Sequence, residues 1–175
     1  MVGLEPYRRS IAPVDCKALP PDMPPPHPPP NAAKETAMKI LRSSARKTNR
    51  APASNFTGTV FSDEVVVGVA PSRMRGSVVS FTPGARTAWH SHPVGQTLFC
   101  LSGAGRVQRE GEQVQEIRPG DTVIIPPDVR HWHGAAPDKL FSHLAMSELN
   151  DKGEGTAWFE HVSDQDYNAK PAPVT

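Results

Sequence analysis

The stretch Thr87–Leu101, TAWHSHPVGQTLFCL, sets two histidines two residues apart and a glutamine four residues after the second. Successive strand side chains point to opposite faces, so residues two apart share one. Read as a strand, TAWHSH turns His90 and His92 to one side and Trp89 and Ser91 to the other. Gln96 rejoins the histidine side if Pro93-Val94-Gly95 forms a bulge or bend. Further on, RHWH repeats the arrangement, with His131 and His133 on one face and Trp132 on the other. Imidazoles from such separate strands meet inside a barrel. There they suit divalent zinc, iron, nickel, copper and, with oxygen donors, manganese. A lone His-x-His pair is most often a surface pair, so the pattern counts only as a whole.

The chain around this stretch has a β texture from Gly58 onward. Short runs such as GTVFSDEVVVGV, GSVVSFTPG, DTVIIPPD and KLFSHLAMSEL are separated by Gly and Pro, and many alternate polar with apolar residues. That predicts an antiparallel sandwich or barrel. SGAG and REGEQ read as hairpin turns, and RPGD as a turn that opens a strand. Near the C-terminus, Ser163 to Asp166 in HVSDQDY forms a capping-box pattern that predicts a brief helix or turn.

The organisation follows from composition. Ten of the 20 prolines fall between Pro6 and Pro30, and such a segment cannot bury enough apolar surface to offset chain entropy. Residues 1–37 are expected to be a disordered arm, with Met38 a plausible alternative start. Residues 38–57 form an extended approach segment, 58–149 the barrel, and 150–175 a C-terminal extension. Six basic residues between Lys34 and Arg50, against one Glu, read as solvated rather than as a nucleic-acid patch. A formal net charge of +1 points to neither nucleic acid nor membrane. No run of apolar residues is long enough for a bilayer span. Two cysteines make no disulfide framework; Cys100 reads as a small buried hydrophobe rather than Cys16's partner. This usage fits a reducing cytoplasm.

The full spacing is more specific than any one pair. It runs Gly84-x5-His90-x-His92-x3-Gln96-x6-Gly103, then, after sixteen residues, Gly120-x5-Pro126-x4-His131. These two motifs resemble those of the cupin family, with Gln96 where Glu is usual and Asp128 where Gly is usual. The resemblance implies an all-β, double-stranded β-helix (a jelly-roll-like barrel) that binds a divalent metal through His90, His92, Gln96 and His131. A narrower likeness is carried by FTGTV, PGARTAWHSHPVGQTL, REGEQVQEIRPGD, HWHGAAP and EHVSDQDY. These runs resemble small bacterial cupins that include manganese-dependent hydroxynitrile lyases. That likeness implies Mn2+ first, with Fe2+, Zn2+ or Ni2+ as alternatives. It also implies His133 and His143 beside the metal, a small-molecule substrate and a homo-oligomer, dimer or tetramer.

An amide at position 96 changes the chemistry. With four neutral donors the ion keeps its full charge, polarises a substrate oxygen better and tolerates an added alkoxide or cyanide. His133, two after His131 on the same face, is the expected acid–base group; the resemblance implies His143 as its partner. The expected reaction is cleavage of an α-hydroxynitrile to an aldehyde and hydrogen cyanide, or the reverse addition. Two other readings stand beside it: a metal cupin of different chemistry, such as a dioxygenase or isomerase, and a non-catalytic ligand-binding module. Trp89 and Trp132 are expected to pack away from the site, and Arg86 and Arg130 to be surface charges. Val94, Thr87, Leu101, Phe81 and Leu144 are expected mostly in the core.

Overall fold

A computed structural model describes residues 38–173. The expectations for residues 1–37, including Cys16 and His27, lie outside the described residues. Short strands dominate, as the alternating runs predict. In chain order they are β1 (Asn49–Arg50), β2 (Phe56–Thr57), β3 (Val60–Val67), β4 (Met74–Phe81), β5 (Arg86–Thr87), β6 (His90–Ser91) and β7 (Gln96–Gly103). Then follow β8 (Gly105–Arg109), β9 (Gln115–Ile117), β10 (Thr122–Ile125), β11 (His131–Ala135), β12 (Phe141–Glu148) and β13 (Ala157–Trp158). One helical turn, α1 (Asp164–Tyr167), closes the chain, and Ser163 caps it by accepting from the Asp166 N–H at 3.0 Å.

Two antiparallel sheets form the barrel. One has the order β1-β3-β4-β12-β7-β10; the other runs β13-β6-β11-β5-β2, with β8 on β11 and β9 on β8. The sheets thus draw in β1 and β2 from segment 38–57 and β13 from the C-terminal extension. Between the sheets lies one apolar cluster that includes Val60, Val79, Phe81, Cys100, Val107 and Phe141. Alternation places it: on β7, Gln96, Leu98 and Cys100 are buried while Phe99 and Leu101 face out. Leu101 and Val94 are therefore exposed rather than core, and Leu144 is half-buried.

A second cluster sits on the outer face of the other sheet, where Trp89, Val114 and Trp132 are covered by Val162 and Tyr167. Both tryptophans turn away from the histidine face, as strand alternation requires. The C-terminal cover also corrects the expectation for Arg86. This residue is buried, because its face of β5 meets the segment after β13 instead of solvent. Its guanidinium donates to the Val162 carbonyl at 3.1 Å, pairs with Asp164 at 2.6 Å and lies 4.4 Å above the Tyr167 ring. Among the described residues no helix is long and apolar enough to cross a membrane.

Candidate metal centre

The sheet register brings the ligand candidates together. In the pairing of β6 with β11, His90 and His131 are direct Cα partners. The chain then bends after His92, whose carbonyl accepts from the Gly95 N–H at 3.1 Å. Gly95 has φ +86°, and an added Cβ would lie 2.7 Å from the Ile125 carbonyl oxygen. Only glycine fits this bend, and the bend returns Gln96 to the histidine side. In the separate loop between β10 and β11, Asp128 takes φ 60° and donates its N–H to the His92 carbonyl at 2.8 Å. The usual glycine of the second motif thus marks a left-handed backbone position that Asp128 fills here.

The donor atoms of His90, His92 and His131 all lie within 4.8 Å of one another. Each ring engages a backbone carbonyl through Nδ1: Ala88 at 3.0 Å, Gly155 at 2.7 Å and Val129 at 2.8 Å. A carbonyl only accepts, so each Nδ1 carries the proton and each Nε2 keeps its lone pair. His92 Nε2 is buried with no protein partner. His131 Nε2 meets Gln96 Oε1 at 3.1 Å, two acceptors face to face. Two donors that share an ion at about 2.1 Å in neighbouring positions sit about 3 Å apart, so the contact matches joint ligation.

Burial keeps the cluster neutral. His90 is held well below the ordinary imidazole range by desolvation, then by the nearby His131 and His92. Desolvation also lowers His92 and brings His131 down to about 4. Neutral imidazoles with converging lone pairs suit a cation, and the buried His90, His92 and His131 triad is compatible with a divalent metal.

Beside it, His133 and His143 form a pair. His133 Nδ1 and His143 Nε2 are 3.1 Å apart, with ring centroids at 4.7 Å. The His133 ring is 5.1 Å from that of His90 and 5.9 Å from that of His131. His133 is fixed from behind, its backbone N–H donating to Thr87 Oγ1 at 3.2 Å. Desolvation, then the nearby His143, holds His133 well below the ordinary range, and burial takes His143 down to about 3. With Nδ1 engaged by His143, the buried Nε2 of His133 has no protein partner.

All six sequence-predicted residues therefore meet in one place. Four of them, His90, His92, Gln96 and His133, line one cavity of about 210 Å³, and His131 touches Gln96 at its edge. Phe56 and Trp158 supply an aromatic wall, their rings 5.5 Å apart. Sequence reasoning missed the part played by the C-terminal extension. Trp158 stacks on His90 at 4.9 Å, and Gly155 orients His92. The usable signal was the likeness reaching Tyr167, past the barrel proper. His161 is exposed, 3.3 Å from Thr57 Oγ1, and takes no part.

A buried histidine triad compatible with a divalent metal, set in a barrel of two antiparallel sheets, is the arrangement of a cupin-type site. The Cupin domain family matches residues 77–145. A curated protein named (R)-mandelonitrile lyase, from Granulicella tundricola, is 48% identical over 130 residues, covering 74% of this chain and 98% of that protein. A cupin-like protein from Thermotoga maritima is 34% identical with a TM-score of 0.65, covering 74% of this chain and 95% of that one. A polyketide cyclase of Streptomyces resistomycificus shares the fold at 16% identity and a TM-score of 0.59, over 75% of this chain and 91% of its own. The chain belongs to the cupin family, and it is a small bacterial-type cupin resembling the mandelonitrile lyase.

Proposed function

We propose that this cupin is a metal-dependent hydroxynitrile lyase, which splits an α-hydroxynitrile into an aldehyde and hydrogen cyanide or joins the two. The observation that carries the reading is the neutral donor set, His90, His92, His131 and Gln96, placed beside the His133–His143 pair, with His90, His92, Gln96 and His133 facing one cavity. Such a set holds a divalent ion without reducing its charge, and Mn2+ is our choice for it. A bound ion would supply Lewis acidity toward the substrate oxygen.

The chain's own residues supply the rest. His133 accepts the substrate hydroxyl proton at Nε2, the nitrogen without a protein partner. In the tautomer this role requires, the His133 Nδ1–H donates to His143 Nε2, 3.1 Å away. Burial keeps His133 neutral at working pH, so it is ready as a base. As the C–C bond breaks, its electron pair leaves on cyanide, which takes the proton from the ring and departs as hydrogen cyanide; in the reverse direction hydrogen cyanide gives that proton to the ring, which returns it to the forming hydroxyl. The wall of Phe56 and Trp158 orients an apolar substituent and excludes water. Cys100 takes no part: burial raises its thiol to about 11.

A homo-oligomer in the cytoplasm completes the proposal. Phe99, Leu101 and Ile124 share the outer face of the β7–β10 pair and are exposed, which supports association through that face. The deciding experiment is benzaldehyde release from mandelonitrile, with metal analysis, on wild type and His131→Ala. Release should vanish with chelator, return with manganese and be lost with the metal in the variant. Metal-loaded protein that releases no benzaldehyde, or that consumes oxygen instead, overturns the lyase reading.

A further inference from the structure

The six-stranded sheet sets its inward side chains in rows. In the row nearest the metal centre, Val67 faces Arg75, Arg75 faces Ser147 and Ser147 faces Gln96 as successive Cα partners. On β4, Val79 and Phe81 face the core, so Ser77 and Arg75 continue the same face toward the cavity mouth. Neighbouring strands lie about 4.8 Å apart, so Arg75 stands two spacings, about 10 Å, from Gln96 along the row. Arg75, Ser77 and Ser147 all line the cavity.

The charge distribution is one-sided. Among the described lining residues Arg75 is the one formally charged side chain, and no carboxylate lines the cavity. The candidate ion ligands are all neutral. The nearest carboxylate to Arg75 is Glu64 at 4.0 Å, with the two side chains 46% and 61% exposed. So open and long an ion pair holds the guanidinium weakly and leaves its fork free. A planar guanidinium suits a carboxylate, and hydroxyls at Ser77 and Ser147 suit its remaining lone pairs.

We propose that Arg75, flanked by Ser77 and Ser147, is an anion-binding group at the cavity mouth that selects substrates carrying a carboxylate at the end away from the reacting oxygen. The proposal rests on the metal centre for the position of that oxygen, and not on the lyase reaction. The ligand class is a small aldehyde or hydroxy compound whose carboxylate lies several ångströms from its carbonyl or hydroxyl.

The test compares 3-formylbenzoate with 3-formylbenzamide, which share shape and aldehyde but differ in charge. Binding is measured by calorimetry on the full chain, metal-stripped and manganese-loaded, for wild type, Arg75→Gln and Arg75→Lys. Wild type should bind the carboxylate about tenfold or more tighter than the amide. Arg75→Gln should lose that preference while binding the amide as before, and Arg75→Lys should fall between. Added salt should narrow the preference in wild type and leave the glutamine variant unmoved. Equal binding of both probes by wild type, or a preference that survives in Arg75→Gln, overturns the proposal. Matching melting curves establish that the exposed substitution leaves the fold intact. Mandelonitrile turnover is scored separately, so a failed lyase reading and a failed anion site give different results.

Discussion

Replacing Gln96 with Glu tests the account of the site most sharply, because it changes one atom type at a buried contact. Gln96 Oε1 lies 3.1 Å from His131 Nε2, and both residues are buried. A carboxylate there places a full negative charge against that nitrogen. With an effective dielectric near 20, Coulomb's law gives about 5 kcal/mol at this distance. That corresponds to about 4 pKa units of extra proton affinity before the cost of burying the carboxylate, and roughly 2 to 3 after it. His131 starts from about 4, so in metal-stripped Gln96→Glu protein it should titrate near neutrality. NMR titration of the ring protons reads this without turnover. In loaded protein the same charge should tighten manganese binding. It should also cut mandelonitrile cleavage about tenfold or more, because the ion loses part of its pull on the substrate oxygen. An unmoved His131 titration would mean that the two side chains do not meet as described. Full activity with manganese bound would refute the role given to the neutral donor.

Three other outcomes follow from the geometry. His133→Ala and His143→Ala, neither altering a ligand candidate, should keep manganese by metal analysis but slow cleavage by about a hundredfold or more, the usual share of a positioned acid–base group. Asp128→Ala should cost about 1 kcal/mol at its left-handed backbone, seen as a melting point lowered by roughly 3 °C, while Asp128→Gly should not. Acid should unfold the stripped protein early. The cluster histidines all titrate below 6.5 in the fold, so the unfolded chain binds more protons as pH falls. Their contribution is complete above pH 6.5 and is lost downward toward about 4 and 3, the folded values for His131 and His143. Urea melts at a series of pH values check this; a flat profile between 7 and 4 would contradict it.

Much of the barrel was legible because alternation is a local property. The period of two in TAWHSH and RHWH assigns faces without knowledge of partners, and the two tryptophans fell on the predicted side. The bend that returns Gln96 was legible too, since Pro93-Val94-Gly95 carries its own turn chemistry. What stayed hidden depends on contacts distant in sequence. Arg86 looks like a surface charge until the segment around Asp164 covers it, 78 residues away. Gly155 has no side chain to advertise a role, yet its carbonyl orients His92 from 63 residues away. Arg75 lies in a stretch, PSRMRG, that reads as a polar approach to a strand; only the register with Ser147 and Gln96 turns it toward the cavity.

The unpartnered nitrogens divide the site by what satisfies them. His92 Nε2 and His133 Nε2, two of the three cluster nitrogens buried without a protein partner (the third is His143 Nδ1), each cost about 1–3 kcal/mol. An ion shared with His90 and His131 would satisfy the first. The second lies on the substrate side, where a hydroxyl would satisfy it. Metal binding and substrate binding should therefore add separately to stability. Manganese at a hundred times its dissociation constant contributes about 2.7 kcal/mol, a rise of roughly 6 °C or more in melting temperature. Gln96 and the three histidines of the triad should be needed for that rise; His133 should not. If manganese raised the melting point of wild type but not of His133→Ala, the ion would depend on His133 as a ligand. The separation between metal holder and proton acceptor would then fail.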